Sequence, residues 1–407
     1  MTDITNQQPE AVPDPRQASP KKAPSTSLIH DEGFRNIAFQ VIMIAAVIFA
    51  GVYLVNNTLY NLETRNIQTG FGFVEQESGF DINQNLIEYS PASTYGTALV
   101  VGLINTLIVA VLGIFFATII GTIIGVARLS TNWLIAKIAS AYVEVVRNIP
   151  LLLQLFMWYG VFTTAFPPVR QAWNPVGSMF VSNRGFHIPT VAWADAFTFA
   201  AVAIVVAIIA WVGLVQRAKK VQAATGKRPP SHLIGFGLLV ILPIIVWAFG
   251  GAPWVVDAPE LGRFNISGGV TITPELVALL FGLVFYTAGF IAEVVRSGIL
   301  AVSKGQWEAG EAVGLSRGRI LSLIVLPQAL RVIVPPTTNQ YLNLTKNSSL
   351  AVAIGYPDLV SVANTTMNQT GQAIESIALI MAAYLTVSLS ISAFMNWYNK
   401  RIALVER

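Results

Sequence analysis

Long apolar runs alternate with short polar segments along the chain, and this pattern predicts helices that cross a membrane. A bilayer core takes about 20 apolar residues per helix. Eight segments meet that length, at residues 36–55, 101–127, 145–166, 190–215, 232–250, 274–300, 321–345 and 373–397. The pattern therefore predicts an all-α integral membrane protein with about eight transmembrane helices.

The polar segments divide the rest of the chain. Residues 1–35 are rich in Pro, Gln, Ser and charge, which predicts a disordered tail. It is not a signal peptide, because the apolar run begins only near residue 36 and is too long. Residues 36–94 are expected to form the first transmembrane helix and a periplasmic segment, residues 95–398 the main transmembrane domain, and residues 399–407 a second tail.

Composition and charge support a membrane protein and orient it. Hydrophobic residues make up 54% of the 407 residues and charged ones 11%, against about 25% charge in soluble domains. Of the 25 Lys and Arg, 20 fall on the side of the termini, so both termini are expected in the cytoplasm. The distribution of charge therefore tells more than the net charge of +4, and the expected partner is membrane lipid rather than nucleic acid.

Metal sites and catalytic groups are not indicated. The chain has no cysteine, which excludes disulfides, thiolate metal sites and cysteine nucleophiles. Its three histidines are scattered without ligand spacing. We therefore expect no metal and no catalytic residue in this chain.

One polar stretch, "GQWEAGEAVGLSRGRILSLIVLP" at residues 305–327, interrupts the apolar pattern. Gly310, Gly314 and Gly318 recur every four residues. Glycine weakens a helix by about 0.5–1 kcal/mol relative to alanine, so a ladder of glycines indicates that something packs closely against this element. The alternative is an ordinary cytoplasmic loop whose charges only fix topology.

The order of residues in this stretch resembles the EAA loop of bacterial ATP-binding-cassette (ABC) importers. That loop reads Glu-Ala-Ala, three residues, Gly, nine residues, Ile-x-Leu-Pro. The matching positions here are Glu308, Ala309, Gly314, Ile324, Leu326 and Pro327. Gly310 departs from the family by replacing the second alanine.

Two further segments resemble the permeases for polar amino acids such as histidine, glutamine, glutamate and arginine. They are "YVEVVRNIPLLLQLF" at 142–156 and "LPQALRVIVPPTTNQYLNLTKNSSLA" at 326–351. The likeness covers residues 95–166 and 270–400. The insertion at 167–269, with two extra spans, and the long N-terminal region look like the general L-amino-acid importers. The resemblance implies a type I ABC importer transmembrane domain with a two-helix insertion in the bacterial inner membrane.

In that family, the EAA loop, here residues 303–327, forms a coupling helix in a groove of the ATPase. The residues implied in ATPase coupling are Glu308, Ala309, Gly310, Glu311, Gly314, Arg317 and Arg319. The chain has no G-x-x-x-x-G-K-S/T phosphate loop, so ATP and Mg are expected on a partner ATPase dimer and no cofactor is expected here. The other implied partners are a second, different permease subunit, a periplasmic amino-acid-binding protein and the amino-acid substrate.

Polar residues inside the predicted spans are the candidates for a substrate pathway, because burying them in lipid is costly. Asn339, Asn343 and Lys346 share one helical face near the outer end of the seventh span. They offer amides and an ammonium to a substrate carboxylate, or else bond to neighbouring helices or headgroups. Weaker candidates for the pathway are Asn105, Thr106 and Gln154.

Charged pairs and small residues complete the pattern. Two pairs of opposite charge are spaced i, i+3, namely Glu144 with Arg147 and Glu293 with Arg296. Each pair is expected either to form a structural ion pair or to act as a gate element. A stripe of small residues every four positions from Gly113 to Gly125 predicts close helix packing.

A secondary transporter or channel working without ATP is the alternative function. It would show intramembrane carboxylates and two related halves with interrupted spans. A membrane-embedded enzyme, the third option, would need a nucleophile-and-base constellation, which is not found.

Overall fold

The computed structural model describes residues 32–65, 69–227, 229–262 and 265–402, which fall into two units. The first unit, residues 1–69, contains helix α1 (Glu32–Thr64). Residues 32–35, expected in the disordered tail, are helical, and the prediction for residues 1–31 lies outside the described residues, as does that for 403–407.

The second unit, residues 70–407, is a helical bundle with a small outer β region. Its helices are α2 (Tyr95–Ala127), α3 (Trp133–Asn148), α4 (Leu151–Thr164), α5 (Asp195–Thr225), α6 (Ser231–Phe249), α7 (Pro274–Leu300), α8 (Lys304–Ala312), α9 (Arg317–Ile320), α10 (Leu326–Asn347), α11 (Leu359–Thr370) and α12 (Ala373–Ile402). Within the described part of the chain, seven helical segments are long and apolar enough to cross a membrane, or eight if α3 and α4 form one broken span.

Helices α2 and α7 form the centre of the bundle. The small-residue stripe of α2 faces α10 at Gly113, where a Cβ atom would lie 3.0 Å from Leu344, and faces α7 at Gly121 and Gly125. A Cβ atom at Gly121 would lie 2.7 Å from the Cβ of Ile291, and one at Gly125 would lie 2.7 Å from the carbonyl oxygen of Ala292. Only glycine allows this approach, so the predicted role of the stripe in helix packing is confirmed.

The span predicted at 145–166 is not one straight helix. Helix α3 starts at Trp133, where the Asn132 side chain caps it by accepting from the backbone N–H of Leu134 at 3.0 Å. The axes of α3 and α4 differ by 106°. Pro150 follows the end of α3, which disfavours a helical conformation at Ile149 and ends the helix there.

Helix α10 also departs from a single regular span. A π-helical segment, Leu321–Val325, precedes it, and a 3-10 helix, Ser348–Ile354, follows it. The chain then enters α11, which the sequence pattern did not predict. The Asp358 side chain caps α11 by accepting from the Ser361 N–H at 2.9 Å.

The insertion predicted at 167–269 contains strands as well as its two expected helices. Its strands are β1 (Phe180–Ser182), β2 (Gly185–Ile188), β3 (Thr190–Val191), β4 (Val256–Asp257), β5 (Glu260–Leu261) and β6 (Ile266–Ser267), and β7 (Val270–Ile272) follows directly after it. The largest sheet has the order β1-β2-β7, with β2 and β7 antiparallel and Phe186 opposite Ile272. This pairing closes the insertion at its base, so α4 and α7 still pack directly, with Leu155 against Gly282.

Residues 70–94 pack on the bundle rather than forming a unit with the first helix. Ile82 is buried with Ala98 and Leu99 of α2 and with Leu359 and Val362 of α11. This segment therefore forms an outer cover for α2.

Candidate functional site: the α8–α9 loop and helix α10

Helix α8 ends in a left-handed turn that requires glycine. Gly314 has φ +77°. The Gly314 N–H donates to the Glu311 carbonyl at 2.9 Å, and the Leu315 N–H donates to the Gly310 carbonyl at 3.1 Å, which is the pattern of a Schellman cap. The glycine of the EAA pattern thus ends the helix and redirects the chain into α9.

Gly310 lets α8 and α9 pack closely against each other. It is the buried residue of α8, and a Cβ atom there would lie 2.8 Å from the Cγ1 of Ile320. Ile320 is fully buried. The replacement of the family's second alanine by Gly310 therefore makes room for a side chain of this same loop.

The charged residues of the loop lie around one open groove. Glu308, Glu311, Arg317 and Arg319 are all exposed, as are Ala309 and Gly314. The groove has a volume of about 580 Å³ and is lined by Lys304, Trp307, Glu308, Glu311, Arg317, Gly318 and Leu321. Arg317 and Glu311 form an ion pair across it at 3.3 Å, so the predicted coupling residues Glu308, Glu311 and Arg317 meet on one surface.

This loop is continuous with α10. The chain passes from α9 directly into the π-helical segment and then into α10 without an intervening coil. Gln328 at the start of α10 donates to the side-chain oxygen of Gln306 in α8 at 3.0 Å. The bond and the continuous helix join α8 and α10 directly at this junction.

One face of α10 is open and polar at its outer half. The exposed positions are Val332, Pro335, Pro336, Asn339, Asn343 and Lys346, which follow a single helical stripe. The side chains of Asn339, Asn343 and Lys346 make no hydrogen bond to the described residues. Lys346 also borders a largely apolar groove of about 700 Å³ between α10 and α12.

Asn105, Thr106 and Gln154 lie away from this stripe, and their side chains form hydrogen bonds with backbone groups. The Asn105 amide donates to the carbonyls of Gln84 at 2.7 Å and Pro357 at 2.9 Å. The Thr106 hydroxyl accepts from the Leu359 N–H at 3.1 Å. The Gln154 amide donates to the carbonyls of Val146 and Ile149, both at 2.9 Å. These bonds hold α11 and the α3–α4 bend in place, and a contact of these three side chains with substrate stays a prediction.

The sequence pattern did not identify Arg331 as a candidate functional residue. It lies in α10 between the π-helical segment and the polar stripe, and its Nε and Nη2 atoms are buried without a hydrogen-bond partner. Sequence alone counts it among the inner charges that orient the protein. Its position inside the predicted span 321–345 could have identified it, because an ionisable residue inside a membrane span often marks a functional site.

The two predicted ion pairs have different outcomes. Glu293 and Arg296 pair at 3.2 Å, as predicted. Glu144 and Arg147 do not pair with each other. Helix α3 crosses α7 at this point, so the Arg147 guanidinium lies 3.7 Å from Glu293 and 5.1 Å above the ring of Phe290.

An exposed charged loop joined to a polar-faced span, in a bundle of seven or eight apolar spans, defines the membrane subunit of a transport system. The family described as "Binding-protein-dependent transport system inner membrane component" matches residues 233–404.

Particular relatives cover nearly the whole chain. The general L-amino acid transport system permease protein AapQ of Rhizobium johnstonii is 47% identical over 383 residues, covering 94% of this chain and 95% of that protein. The glutamate/glutamine/aspartate/asparagine transport system permease protein BztB of Rhodobacter capsulatus is 43% identical over 416 residues, covering 93% and 96%. The chain therefore belongs to the family of amino-acid ABC transporter permeases.

A solved structure of an amino acid ABC transporter with histidines is also similar. It is 19% identical, covers 75% of this chain and 95% of that chain, and superposes with a TM-score of 0.45. The family assignment rests on the sequence relatives.

Proposed function

We propose that this permease subunit carries L-amino acids inward across the membrane as part of an ATP-driven importer. The observation that supports this most is the unbroken path from the exposed α8–α9 loop, through the π-helical segment, to the polar stripe of α10. The names of the relatives AapQ and BztB, at 47% and 43% identity, support amino acids as the substrate class.

The α8–α9 groove is the proposed docking surface for a partner ATPase. Its exposed acids and bases, Glu308, Glu311 and Arg317, are available to pair with groups of the opposite charge on the partner. The sequence has no phosphate-binding loop, so ATP hydrolysis is assigned to partner subunits. The loop and both termini would then lie in the cytoplasm, which the distribution of Lys and Arg supports.

The open face of α10 is the proposed wall of the substrate pathway. Lys346 would attract the carboxylate common to all amino acids, and Asn339 and Asn343 would donate to it without fixing the side chain. A site that recognises only the common group suits a broad substrate range. A second permease, proposed to be a different chain, would complete the pathway, and a binding protein would deliver substrate from outside.

Uptake by the reconstituted complex tests this proposal. The complex of this chain with its ATPase, second permease and binding protein should accumulate labelled L-amino acids in liposomes only when ATP is present. In Glu308→Arg, a charge reversal in the docking groove should lower uptake by at least about tenfold, equivalent to about 1.4 kcal/mol of coupling, without lowering membrane insertion.

Lys219→Glu is the matched control, because it reverses a charge on the exposed end of α5 away from the groove. It should leave uptake unchanged. Equal uptake by Glu308→Arg and wild type would remove Glu308 from docking, and ATP-independent uptake would favour a secondary transporter.

A further inference from the structure

A small polar cavity lies where the outer cover meets the first turns of α7 and α11. It has a volume of about 240 Å³. Residues 80–84 of the cover form one wall, Glu275 in the first turn of α7 forms another, and Pro357 and Ser361 at the start of α11 form a third. The cavity shares no lining residue with the α8–α9 groove or the α10 stripe, so neither of those sites explains it.

Two carboxylates from distant parts of the chain line this cavity. Asp81 belongs to the cover, where its Oδ1 atom accepts from the N–H of Ile82 at 2.8 Å. Glu275 belongs to α7, where its Oε1 atom accepts from the hydroxyl of Tyr159 at 3.3 Å. Neither carboxylate forms an ion pair in the described part of the chain, and no described residue that lines the cavity is basic. The cavity therefore has negative charge without a matching cation.

Buried amide oxygens at the same wall also lack partners. Gln84 lines the cavity, and its Oε1 atom is buried with no hydrogen-bond donor among the described residues. Asn105 of α2 is fully buried and contacts this wall, because its Nδ2 atom donates to the carbonyls of Gln84 and Pro357 at 2.7 and 2.9 Å. The Oδ1 atom of Asn105 is likewise without a donor. Since an unmatched buried acceptor destabilises a fold, these oxygens indicate a group that binds oxygen atoms.

This set of groups fits a calcium ion. Ca²⁺ takes about six to eight oxygen ligands from carboxylates, amide and backbone carbonyls and water. Asp81, Glu275 and Gln84 supply two carboxylates and an amide oxygen, and the side chains of Asn83 and Ser361 line the same cavity. Asp81 and Asn83 are exposed, which leaves the ion a path from solvent. Mg²⁺ fits less well, because it needs a regular octahedron and keeps several of its waters.

The sequence of the cover at this point supports the same ion. In "DINQN" at residues 81–85, oxygen-bearing side chains recur at every second position, Asp81, Asn83 and Asn85. Calcium loops of the EF-hand type place their first three ligands at this spacing. Such loops continue with glycine, where this chain has Leu86. The remaining ligands must therefore come from outside the segment, as Glu275 of α7 does.

We infer that this cavity binds Ca²⁺ through Asp81, Glu275 and Gln84, and that the ion holds the outer cover on α7 and α11. A site with only two carboxylates has the affinity of extracellular calcium modules, with a Kd of about 0.1–1 mM. The inference goes beyond the proposed function and does not depend on which solute the permease carries.

Terbium luminescence of the assembled complex in detergent is the measurement, with Tb³⁺ as a probe for calcium sites. Tyr159 contacts Glu275, so excitation of tyrosine should sensitise Tb³⁺ bound here. Ca²⁺ should displace the probe with a Kd of about 0.1–1 mM. Asp81→Asn and Glu275→Gln should each weaken Ca²⁺ at least about tenfold, equivalent to about 1.4 kcal/mol. Both substitutions keep an acceptor for the Ile82 N–H and the Tyr159 hydroxyl.

Glu88→Gln is the matched control, because Glu88 is an exposed acid of the same cover that does not line the cavity. It should bind Ca²⁺ as wild type does. Equal Ca²⁺ affinity in wild type, Asp81→Asn and Glu275→Gln would show binding to surface acids only and would overturn the inference. Displacement of Tb³⁺ by Mg²⁺ or Na⁺ at the concentration at which Ca²⁺ acts would overturn the assignment to calcium.

Hydrogen exchange of the wild-type complex gives a second measurement that needs no variant. Exchange at residues 80–86 should slow at least about threefold when Ca²⁺ replaces Na⁺ at equal ionic strength, because the bound ion ties the cover to α7. Mg²⁺ should have a smaller effect. Exchange that is the same with and without Ca²⁺ would contradict the role of the ion in holding the cover.

Discussion

The three glycines of the coupling loop serve different purposes, although they look alike in the sequence. Their spacing predicted close docking against another element, but Gly310 faces Ile320 of the same loop and Gly314 supplies a left-handed turn. Gly318 has open space around its Cα and remains available to a partner. Sequence shows where small residues fall, but not which neighbour fills the space.

Gly310→Ala should disturb the packing of α8 on α9, because its Cβ atom would overlap Ile320. Overpacking of this kind costs about 1–3 kcal/mol, so uptake by the reconstituted complex should fall. Adding Ile320→Ala makes room for the new methyl group, and the double variant should transport better than Gly310→Ala alone. Equal activity of Gly310→Ala and wild type would show that Gly310 has no packing role.

Arg331 is a charged residue within an otherwise apolar part of its predicted membrane span. Two of its nitrogens are buried without a partner, and an unmatched buried polar group costs about 1–3 kcal/mol. The structure therefore marks Arg331 as a side chain that destabilises this conformation of the chain.

Arg331→Met should make the complex more stable and less active. The substitution keeps an unbranched, flexible side chain, although a shorter one, and removes the unmatched donors, so the melting temperature in detergent should rise by about 2–4 °C. Uptake should fall, because an ionisable group inside a membrane span is costly and marks a functional position. A lower melting temperature with normal uptake would contradict this assignment.

At the level of elements, the apolar runs predicted where the long helices lie, but they did not predict where those helices bend, break or change type. Helix α7 has the predicted bounds, because about 20 apolar residues permit few alternatives. Gln154 of α4 closes the α3–α4 bend by donating to the Val146 carbonyl of α3, and Thr106 of α2 holds the start of α11 by accepting from the Leu359 N–H. Both partners lie in another helix, where a pattern along the sequence does not reveal them. Strands of two to four residues are too short for a period-2 pattern.

The outer sheet β1-β2-β7 contains a buried histidine that makes it sensitive to pH. His187 is 4% exposed, and its Nδ1 atom lies 2.9 Å from the hydroxyl of Thr271. Burial lowers the pKa of His187 below its ordinary value of 6.5. The folded sheet therefore binds fewer protons than the unfolded segment, so its stability is full above about pH 6.5 and falls as the pH drops through that value.

Hydrogen exchange in β2 and β7 should therefore speed up between about pH 7.5 and pH 5, after correction for the intrinsic pH dependence of exchange. His187→Gln should abolish this change, and His232→Gln, which alters an exposed histidine in α6, should retain it. Identical pH profiles in wild type and His187→Gln would contradict the role of His187.

At the scale of the whole molecule, coupling follows from the way the chain is connected. The groove that would meet an ATPase lies between α8 and α9, and α9 begins a nearly continuous helical segment, residues 317–354, which also carries the stripe that would meet substrate. Family resemblance predicted the docking role of the loop, and the cost of placing polar groups inside a membrane predicted the polar face of α10. The junction between them could not be predicted from the sequence, because no residue pattern indicates the Gln306–Gln328 hydrogen bond or the π-helical turn.

Accessibility of a single cysteine in the α10 stripe gives the most direct test of this coupling. The native chain has no cysteine, so Asn343→Cys provides one labelling site. In the assembled complex, its reaction with a membrane-impermeant maleimide should change by at least about tenfold between the nucleotide-free and ATP-trapped states. The change should vanish when Glu308→Arg is added. Labelling that is independent of nucleotide, or that still responds to it in the double variant, would contradict transmission from the α8–α9 loop to α10.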